Sequence, residues 1–586
     1  MEKYQYSSLA LVGQIRLLRL HAGAEGHALS GDLVTTTLSE TPRFAALSYV
    51  WGDSQPRKAI HFTGLRVEIG TNLQNALQDL RQPGHDTFLW ADGICINQED
   101  TVERSQQVKM MGDIYAAACL TVIWLGHEAD EIKMAFGWLR RFNTVTDSLG
   151  FDMSACEDGT EFIARARFEE ISQVAFGKHR TTAFRHIWAL LNRPWFTRKW
   201  IIQELVKSQK PLMMAGKPRL SWAVLAHWIN FLHWCPSAKD AFMLQCPRPL
   251  EAGARSLGIG ILRATLLTRI AAQDTQLLMF LVARTLEFRC TDPRDHVFSV
   301  MGISSDADRF DLVDYRSPTE KVYRELAYCC LSDSVSLKLL WSLASRTPLT
   351  RRVRSWVPNI KNLAADGYGS CLATQFSVQQ ERDYDASGDT VLQARAGIDG
   401  NIPVIRGRIV DRLQRVGSDN QRLADVSILD NMKSGNVNSS RENIQRMMRQ
   451  KFEWIQECLT IIKHTGSINE EEVFRNVLLD DIVVNNEVHK SLSAARIEFP
   501  EQVSLYQAMA YEIDYGSWLH SVTKSYSLES SRLLESMQME KLQRRFGSTD
   551  KGRIGWLLLI ASEGDLICVF DGMELPYAIR PAVDGR

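Results

Sequence analysis

The chain has 586 residues, is 45% hydrophobic and 23% charged, and carries a formal net charge of -1 at pH 7. That length exceeds one ordinary core, so two to four domains are expected, and the balanced charge leaves no overall electrostatic footprint for nucleic acid or an anionic membrane. Its 11 cysteines, an odd number with no CxxC pair, argue for reduced thiols in a cytoplasmic protein and against a disulfide scaffold or a zinc cage.

Taken in chain order, the first part alternates strand and helix. "IRLLRL" (15–20) and "AALSYVWG" (45–52) read as strands, and "AIHFTGLRVEIG" (59–70) reads as a hairpin turning near Thr63-Gly64. Asn72 is placed to cap a short helix through about Arg81, which Pro83-Gly84 ends, and "TFLWAD" (87–92) reads as a buried strand. A helix is expected over 101–118, with Val108, Met111, Tyr115 and Ala118 on one buried stripe, followed by the strand "LTVIWLG" (120–126). This rhythm predicts that 45–52, 87–92 and 120–126 are adjacent parallel strands with helices packed on them. Residues 127–185 read as a helical insertion, and 210–345 as mostly helical, with "TDPRDHVF" (291–298) as a turn entering a helix.

Further on, "TVLQARA" and "PVIRGRIV" read as strands, helices are expected from about 444 to 546, and 553–580 is expected to be a β-meander that pairs with 390–411. The domains expected are 1–210 (core 44–206), a helical region 211–350, and an α+β region 351–586 with a loop near 432–443. The apolar stretch "LGIGILRATLLTRIAAQDTQLLMFLVA" is broken by Arg263, Arg269 and Asp274, so no membrane span and no signal peptide is expected.

Several motifs fail on their own terms. Gly258-x-Gly260 lacks the third glycine of a dinucleotide fingerprint, and Gly216-Lys217-Pro218 lacks the first glycine of a phosphate loop. His227, His233 and Cys235 sit in "HWINFLHWC", which reads as a packed aromatic helix, so no metal is assigned. No GxSxG or HExxH occurs.

One helix is unusual. "RPWFTRKWIIQELVKS" (193–208) places Glu204 between Gln203 and Leu205, on the edge of an apolar run, where a carboxylate is costly unless paired, solvated or used. Trp200 and Glu204 are four apart and share a face, with Ile201, Leu205 and Ser208 as the neighbouring stripe assigned to the sheet. Glu204 pairing with Arg193, Arg198 or Arg104 is the purely structural account.

Three blocks, "FAALSYVWGD" (44–53), "FLWADGICINQEDTVERSQQVKMMGDIYAAACLTVIWLG" (88–126) and "RPWFTRKWIIQELV" (193–206), together resemble the heterokaryon-incompatibility (HET) domain of filamentous fungi. "WADGICINQ" is the most specific part, and "CTDPRDHVFSVMGISSDA", "SWVPN" and the closing "GDLICVFDGMELPYAIR" resemble segments that accompany such domains. The HET domain in turn is similar to TIR domains. This implies a TIR/flavodoxin-like parallel sheet with a helical insertion in the N-terminal domain, then the helical middle region and the α+β C-terminal region.

The resemblance implies fungal non-self recognition ending in programmed cell death. It also implies Glu204 as the catalytic residue of an NAD glycohydrolase, with Ser48, Trp51, Asp92 and Trp200 around the substrate, in a cleft bounded by Ser48–Asp53 and Asp92–Ile96. NAD would be substrate, with no permanently bound cofactor. The alternative function is a non-catalytic signalling or scaffold protein that self-associates through the same fold. A non-self or regulatory protein partner is expected in either case. The chain departs from the TIR pattern by an insertion of about 60 residues before that helix, and by Arg198-Lys199 where small serines are usual.

Each site residue also has a plainer reading. Asp92 either orients a ligand hydroxyl or caps the turn "DGICINQ" through backbone amides, and Ser48 is a buried hydroxyl bonded to backbone. Asn97 caps or turns the chain before the helix at 101. Cys95 is a buried small hydrophobe. Asp292, Arg294 and Asp295 form either a charge switch or a capped helix start in which Arg294 ties loops together.

Overall fold

A computed structural model describes residues 2–150 (except 10, 12, 25, 41, 53, 54, 56, 63 and 64), 161–235, 238, 239, 241, 242, 263–265, 267, 268, 270, 276–344, 356–365, 386–396 (except 389), 403–419, 437–465 and 544–581 (except 559, 560, 574 and 575). The chain divides into two compact units, residues 1–326 with 360–370, and residues 327–359 with 371–586.

The first unit opens with β1 (Glu2–Lys3), β2 (Gln14–Leu20), β3 (Gly31–Thr37), β4 (Ala45–Ser48), β5 (Arg57–Phe62), β6 (Leu65–Gly70), α1 (Thr71–Leu80), β7 (Thr87–Trp90), α2 (Asp92–Cys95), α3 (Thr101–Ala117) and β8 (Leu120–Trp124). It continues with α4 (Asp130–Ser148), α5 (Glu161–Ala175), α6 (Arg180–Leu191), α7 (Ile201–Val206), β9 (Pro211–Met214), β10 (Arg219–Ser221), α8 (Trp222–Trp234), α9 (Leu278–Arg284) and α10 (Asp295–Met301).

Seven strands form one sheet in the order β10-β9-β8-β4-β7-β2-β3. β4 pairs in parallel with both β7 and β8, and β8 in parallel with β9. The expected parallel neighbours are therefore present, with β4 between the other two. The sheet is mixed rather than wholly parallel: β2 runs antiparallel to β7 and β3, and β10 antiparallel to β9. Counting only the parallel strands in chain order, the spatial order is 2-1-3-4, so the winding reverses beside β4. The strands β9 and β10 fall in a stretch that reads as helical. They are four and three residues long, too short to show a period.

Burial follows the expected pattern. Ala46, Leu47, Leu89, Trp90, Val122 and Ile123 are buried along the central strands, and Val108, Met111, Tyr115 and Ala118 of the α3 stripe are all buried. The Asp100 carboxylate caps α3, accepting from Val102 N (2.9 Å) and Glu103 N (3.1 Å). Asn97 instead makes a turn, accepting from Glu99 N at 3.2 Å. Asn72 is no cap: it lies in the first turn of α1, whose N-cap is Gly70, and its amide donates to the Val50 carbonyl at 3.0 Å.

The insertion is helical as expected (α4, α5 and α6), and its aromatic core joins Phe142 of α4 edge-on to Trp228 of α8 at 4.7 Å. His227 bonds Thr146 Oγ1 at 2.9 Å. The side chain of His233, like Gly258 and Gly260, lies outside the described residues. Among those described, no three His, Cys, Asp or Glu side chains are grouped to hold a metal, and no helix is long and apolar enough to cross a membrane.

α11 (Thr319–Cys330) spans the division between the units. The second unit carries α12 (Ser334–Ala344), β11 (Ala394–Ala396), β12 (Pro403–Ile405), β13 (Gly407–Asp419), α14 (Val437–His464, the first unit's α13 being Ile360–Ala365), β14 (Arg544–Thr549), β15 (Ile554–Leu558), β16 (Leu566–Phe570) and β17 (Tyr577–Ile579). The C-terminal strands do pair with the 390–411 region, through Gly407↔Phe570 to Asp411↔Ile567. They do not form a simple meander. The order β15-β14-β13-β16-β17 puts β13 between two hairpins. Residues 544–546, expected to be helical, belong to β14, and the expected loop at 432–443 is helical from Val437 onward.

Candidate active site at the strand ends

A cluster of side chains converges where the parallel strands β4 and β7 end. Ser48 is the last residue of β4, and the chain then runs through Tyr49 and Trp51. Asp92 stands two residues past the end of β7. Ser48 is buried, but its partners are side chains rather than backbone. Its hydroxyl donates to Glu204 Oε2 and accepts the Trp195 indole N–H at 2.7 Å. The short helix α7 delivers Glu204 here because Ile201, Ile202 and Leu205 are buried around it, leaving the carboxylate only 2% exposed.

Of the three arginines considered as partners, Arg198 is the one that reaches Glu204. Its Nη1 lies 3.8 Å from Glu204 Oε1 and donates to the Tyr49 carbonyl. Arg104 instead stacks over the Tyr315 ring at 4.1 Å. Asp92 does both things expected of it. Its Oδ1 accepts from Gly93 N at 2.8 Å and so caps its own turn, while Oδ2 accepts the Trp51 indole N–H at 2.8 Å. The Tyr49 hydroxyl bonds it as well. A methyl group on Gly93 would meet that hydroxyl, so the close approach needs glycine. Trp51 is 44% exposed although it is large and apolar. Asp53, at the far end of the expected cleft wall, lies outside the described residues.

The electrostatics follow from this enclosure. Burial pushes the Glu204 carboxyl up to about 7, against the Arg198 charge and the Ser48 bond, which favour the carboxylate. Burial also raises Asp92, opposed by Arg198 and by the Trp51 and Gly93 bonds. Burial works against the Arg198 charge, but the Glu204 and Asp92 carboxylates outweigh it and hold the guanidinium above its ordinary value. Two acids that titrate above their usual range, sharing one guanidinium at a sheet edge, form the kind of cluster that proton and cation chemistry uses.

Trp200 is held elsewhere. Its indole bonds Asp295, whose Oδ1 also accepts the Tyr315 hydroxyl at 2.6 Å. Arg294 ties loops as expected, donating to the carbonyls of Tyr315 (2.7 Å) and Ser317 (2.8 Å) and to Asp292. Cys95 is fully buried and burial pushes its thiol up to about 12, so it is no nucleophile.

Two residues of the cluster's surroundings were missed by sequence reasoning. Trp195 is fully buried, so its indole N–H needs an acceptor, and Ser48 supplies it. Lys199 is fully buried, donating to the carbonyl (2.6 Å) and hydroxyl (2.5 Å) of Thr285, and burial lowers it to about 7. Nothing in the local sequence identifies that partner, which lies 86 residues away.

Comparison with known proteins places this cluster in a family. Residues 44–204 match the family described as heterokaryon incompatibility protein (HET). Heterokaryon incompatibility protein 6, OR allele, of Neurospora crassa is 24% identical over 659 aligned positions, which cover 99% of this chain and 92% of that protein. No solved structure matches the chain. The residues that match this family contain Ser48, Trp51, Asp92, Arg198, Trp200 and Glu204.

Proposed function

We propose that the protein acts in fungal heterokaryon incompatibility, and that its HET domain triggers programmed cell death by cleaving NAD in a TIR-like manner with Glu204 as the catalytic residue. The observation that carries this reading is the position of Glu204 beside Ser48, at the C-terminal end of β4, where the parallel strand order 2-1-3-4 reverses. That order matches the start of the flavodoxin-like order, whose ligands bind outside the strand ends at the reversal.

The chemistry suits a single carboxylate. Water adds to the anomeric carbon of the nicotinamide ribose as the C–N bond breaks, the bonding pair leaves with nicotinamide, which departs neutral from a pyridinium, and the proton that the water loses passes to solvent. No general acid is needed for that departure. Glu204 would stabilise the oxocarbenium-like charge and hold a ribose hydroxyl, Asp92 would take a second hydroxyl, and Trp51 offers a flat face for a ring. Self-association and a non-self or regulatory protein partner complete this account of signalling.

A second reading has one observation in its favour. Glu204 is already paired with Arg198 and bonded to Ser48 while 2% exposed, as it would be in a self-associating scaffold without catalysis. The test is to express the wild type and Glu204→Gln in a fungal host and follow NAD content and viability together. Loss of both NAD depletion and death in a normally abundant variant supports cleavage. Death without NAD depletion supports the scaffold.

A further inference from the structure

The Arg198–Glu204 pair is built unlike an ordinary buried ion pair. At 3.8 Å it is too long for a hydrogen bond, and among the described residues the guanidinium has one hydrogen-bond partner, the Tyr49 carbonyl. Solvent reaches the pair from the arginine side, since the Arg198 side chain is 18% exposed and that of Glu204 is 2% exposed. The guanidinium lies against Glu204, and its charge is also felt at longer range by the Asp92 carboxylate. The backbone beneath it is fixed: Lys199 N donates to the Arg289 carbonyl at 2.8 Å, and Lys199 Nζ anchors to Thr285. Arg198 itself has extended φ and ψ between the turn at 194–197 and α7.

We propose that Arg198 is a resident cation that fills the place of a cationic ligand ring, and that a pyridinium displaces it from Glu204 on binding. The inference rests on the NAD reading for the identity of the ring and adds what the site selects. Oxidised nicotinamide carries the positive charge that can replace the guanidinium in the field of the Glu204 and Asp92 carboxylates. Reduced or free nicotinamide is neutral, and binding it would leave them uncompensated. Trp51, held by Asp92 at the exposed edge, supplies the face against which such a ring stacks.

The test is calorimetric titration of the full-length chain with 1-methylnicotinamide, a pyridinium that cannot be cleaved, and with neutral nicotinamide. Arg198→Gln is expected to bind the cation about tenfold tighter than wild type, the scale of one partly exposed charge contact, with nicotinamide unchanged. Arg198→Lys keeps the charge on a stem that lacks the guanidinium fork, and it covers the case in which the glutamine variant fails to fold. It is expected to bind the cation more tightly than wild type, by a smaller factor. A folded Arg198→Gln, or failing that Arg198→Lys, that binds 1-methylnicotinamide no better than wild type overturns the proposal. If the cation binds as described and NAD is never consumed, the cleavage reading fails and this inference stands. If NAD is consumed through Glu204 and the Arg198 variants bind the cation no better, this inference fails alone.

Discussion

Two buried arginine–glutamate pairs lie in the same unit and differ in nearly every other respect. Arg16 and Glu103 meet in a two-pronged contact at 2.6 and 2.9 Å, and Glu103 Oε1 also accepts from Asn97 N at 2.7 Å. Arg16 further donates to the carbonyls of Cys95 (3.2 Å) and Ser7 (2.5 Å). Both carboxylate oxygens are filled by groups of the chain itself, and the pair fastens the turn that begins at Asp92 onto β2. Arg198 and Glu204 have the same chemistry without the closure: one long contact, one backbone bond, one hydroxyl, and a carboxyl raised to about 7. A saturated pair is a fastener. An unsaturated one, at a strand-end reversal, is the arrangement on which the proposed NAD site rests.

Breaking the fastener should have the largest effect. Arg16→Met leaves Glu103 buried without its cation and is expected to cost about 3–5 kcal/mol, read as a lower denaturation midpoint of the full chain. Ser48→Ala should cost less, about 1–3 kcal/mol, because the indole of Trp195 and the Glu204 carboxyl each lose a partner. It should also raise the Glu204 titration further, since the lost bond favours the carboxylate. An unchanged titration would mean that Ser48 does not set the state of Glu204.

A dependence on pH accompanies these effects. Glu204 is raised from 4.5 to about 7, so the fold favours its neutral form. The stability this supplies is full below about 4.5 and is lost as pH climbs through 7. The difference in stability between wild type and Glu204→Gln should therefore move against the wild type across that window. Lys199, lowered from 10.5 to about 7, has the opposite sign. Its contribution is present above about 10.5 and is lost as pH falls through 7, so the difference between wild type and Lys199→Met should change on the alkaline side. Denaturation midpoints from pH 4 to 10 check both limbs.

The sequence carried the strand–helix rhythm of the first unit well, because period-two and helical patterns in "AALSYV", "TFLW", "TVIW" and 101–118 report burial directly. It carried the site in part. Ser48, Asp92 and Glu204 were legible as polar residues at the ends of apolar runs, while the three-part chain from Trp195 through Ser48 to Glu204 depends on contacts 147 and 156 residues apart. Trp200 was misplaced for the same reason. Its partner Asp295 comes from a segment whose approach to α7 no local pattern encodes. In the second unit, β13 pairs on both sides with strands more than 100 residues distant, so the β16–β17 hairpin was legible, while β14 and the place of β13 between two hairpins were not.

The central claim is that Glu204 sits in an open working pair and is not a fastener. The most direct measurement is NAD consumption and nicotinamide release by purified full-length Glu204→Gln, alongside its thermal stability at pH 7. The account predicts a protein within about 1 kcal/mol of wild type in stability, because glutamine keeps the shape of the side chain and the neutral state that burial favours, with NAD cleavage abolished. A variant destabilised as severely as Arg16→Met, or a stable one that still releases nicotinamide at the wild-type rate, would contradict it.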